Sequence, residues 1–287
     1  MQPRVDAFFD KATSTLTYVV WDVRSRDAVI IDPVLDYDPA ASRIATASLT
    51  QVAEHVRGHK LHPHFVLETH AHADHLTGSQ ELKKFFPRIR VAIGARITEV
   101  QKVFKEFYNL DGGFVPDGRQ FDVLLRDGER LEAGTLAVRV LFTPGHTPAC
   151  VSYLIGDAVF TGDALFMPDY GVGRCDFPAG SADALYESVS GRLYALPDDT
   201  RVFVGHDYQP KGRSLEFQST IGAEKRGNVQ LNAKTEKADF VRFRNARDRT
   251  LPPPTLMLQS VQFNITGGQL PAPESNGIRY LKIPLRR

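Results

Sequence analysis

The chain has 287 residues, 42% of them hydrophobic, enough for one large core, and its two cysteines exclude a disulfide scaffold. Thirty-five Lys and Arg against 34 Asp and Glu leave a formal charge of +1, so no global field favours a phosphate backbone or an anionic bilayer, and neither nucleic acid nor membrane is expected as a partner. The chain opens without the pattern of a secretory leader and no run approaches the ~20 apolar residues that span a bilayer, so a cytoplasmic protein is expected.

In chain order, short apolar or alternating runs predict strands over residues 15–21, 28–31 and 65–69. The third runs into Thr69-His70-Ala71-His72-Ala73-Asp74-His75, which places three imidazoles and a carboxylate in seven residues. These donor types suit borderline cations such as zinc or iron, and His70, His72 and Asp74 recur at every second position, so an extended loop could aim them to one side. A helical pattern follows over 76–86, for which Asp74 is also a candidate N-cap. A strand over 91–93 and a helix over 95–107 come next. The alternating run 136–142 ends in Thr143-Pro144-Gly145-His146, a turn that delivers His146 from a strand end. Strands over 151–155 and 158–161 lead to Gly162-Asp163, a helix over 182–196 follows, and a strand over 200–204 leads to Gly205-His206-Asp207. A single histidine at a strand end is usually a hydrogen-bonded structural residue. Four strand-to-loop junctions that each deliver His or Asp point instead to one shared metal site.

A helix over 233–248 precedes Leu251-Pro252-Pro253-Pro254, which cannot continue it. Residues 1–250 are expected to form the catalytic domain, and 251–287 an extended arm packed on that domain or on a partner subunit. Cys150 and Cys175 are expected mainly to pack; Arg174 beside Cys175 would favour a thiolate there if that side chain lined the site.

The set His70, His72, Asp74, His75, His146, Asp163 and His206, in this order and spacing, resembles the metallo-β-lactamase superfamily over roughly residues 10 to 210. The resemblance implies an α/β (α+β) fold, a four-layer αββα sandwich with its metal site in the loops along one edge of the sheets. Within that superfamily, Thr161-Gly162-Asp163-Ala164-Leu165-Phe166, Gly173-Arg174-Cys175-Asp176-Phe177 and Gly205-His206-Asp207-Tyr208 look like the persulfide (sulfur) dioxygenases of the glyoxalase II-related branch. The Pro168-Asp169-Tyr170-Gly171-Val172 element and the Pro-rich tail point to a bacterial type. That likeness implies one Fe(II) per chain held by His70, His146 and Asp163, with His72, Asp74, His75 and His206 behind it. It implies glutathione persulfide and O2 as substrates, Arg174, Tyr208 and Arg226 as substrate-binding residues, and a homodimer.

Donor types alone equally permit two Zn bridged by Asp163, with His70, His72 and His146 on one and Asp74, His75 and His206 on the other. That arrangement would suit a glyoxalase II-like thiolester hydrolase. The element from Gly173 to Phe177 stands where such hydrolases carry a different glutathione-binding element, which disfavours this alternative.

Overall fold

The computed structural model describes residues 2–285. Two six-stranded sheets pack face to face. The first has the order Arg4–Asp10, Thr15–Trp21, Asp27–Ile31, His62–Glu68, Arg90–Gly94, Val123–Leu125, and the second the order Arg130–Ala133, Leu136–Phe142, Val151–Ile155, Ala158–Phe160, Arg201–Phe203, Gln218–Thr220. The strand Thr15–Trp21 shows why the layers form. It is buried along its whole length, and its period of two sends Leu16, Tyr18 and Val20 into the core between the sheets and Val19 and Trp21 into the core under the helices. Leu49, Val52 and Val56 of the helix Ala47–Gly58 and Ile97, Val100 and Phe104 of the helix Ile97–Phe107 cover that outer face. On the far side, Leu185, Val189 and Phe240 close the second sheet from the segment Ala182–Leu193 and the helix Lys237–Asp248. The arrangement is the expected αββα sandwich.

Several sequence expectations need correction. Residues 76–86 do not form one helix: Leu76–Thr77 pair antiparallel with Val34–Asp38, and the helix Ser79–Phe85 starts only after Gly78, so Asp74 is not its N-cap. The helix expected over 182–196 is α-helical over Ala182–Tyr186 and widens to a π-helix over Glu187–Leu193. The tail is not extended throughout, because Met257–Asn264 form a helix whose Val261 and Phe263 are buried in the core beneath the first sheet. Among the described residues no helix is long and apolar enough to cross a membrane.

Buried acids also lie outside the candidate site, Glu224 among them. Glu224, in the helix Ile221–Gly227, is 0% exposed; Asn228 Nδ2 donates to one of its oxygens at 2.9 Å and the other has no partner. Burial pushes its carboxyl from 4.5 up to about 7. The folded protein therefore holds this proton more tightly than the unfolded chain does, and stability falls as pH rises from about 4.5 to about 7. Glu224→Gln is expected to raise the melting temperature at pH 8 by a few degrees, about 1–2 kcal/mol at ~2–4 °C per kcal/mol, and to leave it unchanged at pH 4. Identical melting curves of variant and parent at pH 8 would refute this account.

Candidate metal centre

The candidate donors all leave the sheets at one edge. The parallel central strand His62–Glu68 runs directly into the loop carrying His70, His72, Asp74 and His75, and Leu136–Phe142, Ala158–Phe160 and Arg201–Phe203 end just before His146, Asp163 and His206. Two glycines make the approach feasible. Gly162 has φ +49, and a Cβ there would fall 2.6 Å from Thr69 Oγ1; Gly145 has φ +148, and a Cβ would fall 2.5 Å from Leu185 Cα. A larger residue at 162 would collide with Thr69 beside Asp163, and one at 145 would collide with the backbone of Leu185 beside His146.

Potential ligand atoms of His70, His146 and Asp163 all lie within 4.8 Å of one another. Asp163 Oδ2 is 4.0 Å from His70 Nε2 and 3.5 Å from His146 Nε2, while its Oδ1 is 3.3 Å from His206 Nε2. A second group within the same limit is His72, Asp74 and His75, and His206 Nε2 lies between the two groups, 3.6 Å from Asp74 Oδ2. His70 Nε2, His75 Nε2 and Asp163 Oδ1 are buried without a hydrogen-bond partner. Such atoms are costly unless a cation completes them, so the donor set fits a metal.

The outer nitrogens explain which atoms face inward. His146 Nδ1 donates to Arg174 O (2.7 Å), His75 Nδ1 to Leu76 O (3.0 Å) and His206 Nδ1 to Ser14 O (3.2 Å). A carbonyl accepts only from a protonated nitrogen, so in the neutral imidazole each contact leaves Nε2 with its lone pair free. His70 Nδ1 is 3.0 Å from Thr69 Oγ1, whose own hydrogen goes to Asp32 Oδ2 (2.8 Å). His72 differs. Its Nε2 faces Asp32 Oδ1 at 3.1 Å and Glu68 Oε2 at 3.4 Å, and Thr77 and Ser79 hydroxyls hold the other Glu68 oxygen.

The electrostatics divide the histidines accordingly. Burial and the neighbouring imidazoles hold His70 well below its ordinary value, which keeps the ring neutral. Burial opposes charge on His72 as well, but the Asp32 and Glu68 carboxylates outweigh it and raise the group. Burial likewise works against His206, yet Asp163 and Asp74 raise it to about 9.

His146 and Asp163 open into a cavity of about 570 Å3 walled by Phe166, Tyr170, Phe177 and Tyr208 and by the strap Pro252-Pro253-Pro254. A larger cleft near His64 and Arg90 contains none of the donors. Tyr208 borders the cavity, stacked on Tyr170 with ring centroids 4.8 Å apart. Arg174 borders it too, but its fork is engaged: Nε and Nη2 hold Asp176 at 2.6 and 2.7 Å, and Nη1 donates to Pro252 O at 2.7 Å. Arg174 thus ties the strap to the element whose carbonyl orients His146. Arg226 is not brought to the cavity; it is exposed on the helix Ile221–Gly227, with its Nη1 close to Gly222. Cys175 is buried outside the cavity lining and, with burial and then Asp248 raising its thiol, is not a thiolate.

Sequence reading missed Asp32, Glu68, Arg244, Arg247 and Asn264. Asp32 had a signal, since it closes the strand Asp27–Ile31 just as Asp163 and His206 follow theirs. Asn264 had none, although its Nδ2 donates to His72 O and His75 O, both at 2.8 Å.

The chain matches the family model described as "Metallo-beta-lactamase superfamily" over residues 11–206. It is 48% identical over 99% of its length to the "Beta-lactamase hydrolase-like protein" of Agrobacterium fabrum, of which it spans only 65%. It is 31% identical to the human protein named "Persulfide dioxygenase ETHE1, mitochondrial", covering 83% of this chain and 86% of that one. Among solved structures, ETHE1 from Myxococcus xanthus superposes with a TM-score of 0.74 at 34% identity, over 93% of this chain and all of that one.

Proposed function

Because the chain belongs to the metallo-beta-lactamase superfamily, we propose that it is a mononuclear non-haem iron persulfide dioxygenase acting on glutathione persulfide. The observation that carries this reading is the compact donor group His70, His146 and Asp163, with His146 aimed by the carbonyl of Arg174. Likeness to two proteins named ETHE1, one of them called a persulfide dioxygenase, adds support. The net reaction is glutathione persulfide plus O2 and water to glutathione plus sulfite, in which the outer sulfur gives up four electrons and O2 takes them.

Two imidazoles and one carboxylate would hold the iron. When bound, Fe(II) in such a triad supplies open positions for sulfur and dioxygen and an electron path between them. The chain's own part is orientation and exclusion. Asp32 and Thr69 fix the ring of His70, the Arg174 carbonyl fixes His146, and Asp163 is held between His146 and His206. The aromatic walls and the proline strap shield the reacting end from bulk water.

A second reading rests on the group His72, Asp74 and His75, which offers a second metal a place. Two Zn there would suit hydrolysis of a thiolester such as S-lactoylglutathione. One experiment separates the two: quantify iron and zinc in the purified protein, then follow oxygen uptake with glutathione persulfide beside hydrolysis of S-lactoylglutathione. One iron per chain with oxygen uptake is the expected result. Two zincs with thiolester hydrolysis and no oxygen uptake would sink the dioxygenase reading.

A further inference from the structure

Glutathione and its persulfide carry two carboxylates, so a cavity that selects them needs a cation with unspent donors. Three arginines border the cavity: Arg174, Arg244 and Arg247. Arg174 is committed to Asp176 and to the strap carbonyls of Pro252 and Leu251. Arg244, 1% exposed, is committed to Asp248 through Nη2 and to Gln230 Oε1 (2.8 Å) and Val172 O (3.3 Å) through Nη1.

Arg247 lies three residues further along the same helix, Lys237–Asp248, half-buried and in no ion pair among the described residues. Its Nε is buried without a hydrogen-bond partner. The acid next to it in the chain, Asp248, is taken by Arg244. Its charge falls on Tyr170, where burial raises the phenol and Arg247 and Arg244 pull it back, so guanidinium and hydroxyl share one corner of the cavity.

We propose that Arg247 is the carboxylate anchor of this cavity and sets its preference for acidic thiols and persulfides over neutral ones. Its guanidinium, which reaches the Tyr170 hydroxyl but leaves Nε without a partner, receives a substrate carboxylate, and that hydroxyl lies beside it as a further donor. The identity of the sulfur end rests on the dioxygenase reading, whereas the acidic end rests on the cavity alone. Arg174 and Arg226, the arginines expected from sequence, leave this role open because one is spent and the other lies outside the lining.

The test is calorimetric binding of glutathione and of glutathione diethyl ester, in which both carboxylates are masked, to the metal-loaded protein and to Arg247→Ala and Arg247→Lys. The parent is expected to prefer glutathione over the ester by about 10- to 100-fold, the scale of one or two charge-assisted hydrogen bonds. Arg247→Ala is expected to erase that preference while binding the ester as the parent does. Arg247→Lys should restore part of it, since lysine keeps the charge and loses the planar fork. A preference that survives in Arg247→Ala overturns the proposal, as does a parent that does not discriminate acid from ester. Failure of oxygen uptake with glutathione persulfide would refute the dioxygenase reading and leave this binding difference intact, so the two can fail separately.

Discussion

Replacing Asp163 by alanine is expected to empty the metal centre. Its two oxygens face three histidines from opposite sides: Oδ2 lies toward His70 and His146, and Oδ1 toward His206. No other carboxylate belongs to the donor group that includes His70 and His146. Loss of even a supporting residue typically lowers metal affinity ~10- to 100-fold, and a direct ligand with no substitute should exceed that range. Metal analysis of the purified variant is therefore expected to find less than a tenth of the parent's loading, with activity lost in parallel. The metal-free variant carries an independent mark. Asp163 and Asp74 together raise His206 to about 9, so removing one should lower that titration toward the ordinary histidine range, readable by NMR. The sign follows: the metal-free parent carries a stabilising contribution from protonated His206 that is complete below the ordinary histidine value and is lost as pH rises through about 9. The variant should lose most of it. Parent-level metal in Asp163→Ala would refute the assignment of this carboxylate.

The centre was legible in sequence to the extent that its donors sit where apolar runs stop. Strands write their burial into the chain, and a His or Asp immediately beyond a buried strand end is held at the sandwich edge, as the ends of His62–Glu68 and Ala158–Phe160 show. The supports were less legible because they act across sequence. Asp32 meets Thr69 and His72 from 37 and 40 residues away, and no local spacing announces that. The availability of an arginine is hard to read from sequence for a related reason. The Gly-Arg-Cys-Asp-Phe element places an arginine at the cavity, but whether its fork is free depends on Asp176 two residues on and on a strap almost 80 residues away. Arg247 lies in a helix rich in charges, where no local pattern separates a cavity-lining arginine from a solvated one. The tail misled through its prolines: Met257–Asn264 spends only eight residues as helix, and several that it buries are polar, Ser260, Gln262 and Asn264, so no apolar stripe marks it.

Asn264 then gives the strongest test of that tail. Its side chain, 3% exposed, donates from Nδ2 to His72 O and His75 O at 2.8 Å each and accepts from Thr77 N at 2.9 Å. One amide thus satisfies three backbone groups in and just after the loop that presents four of the seven candidate donors. Asn264→Ala leaves two carbonyls and one N–H buried and unpaired, and at ~1 kcal/mol or more for each the variant should lose about 3 kcal/mol. At ~2–4 °C per kcal/mol that is a fall of roughly 6–12 °C in melting temperature. The same change discriminates between the two metal arrangements. Asn264 holds the carbonyls of two of the three residues in the His72, Asp74 and His75 group, but touches none of His70, His146 and Asp163. A single iron at the latter set should bind Asn264→Ala with less than about a tenfold loss, below the usual effect of removing a direct support. A two-metal centre would instead lose its second equivalent first, giving one tight and one weakened ion in a metal titration. An unchanged melting temperature would show that the tail helix does not brace the loop.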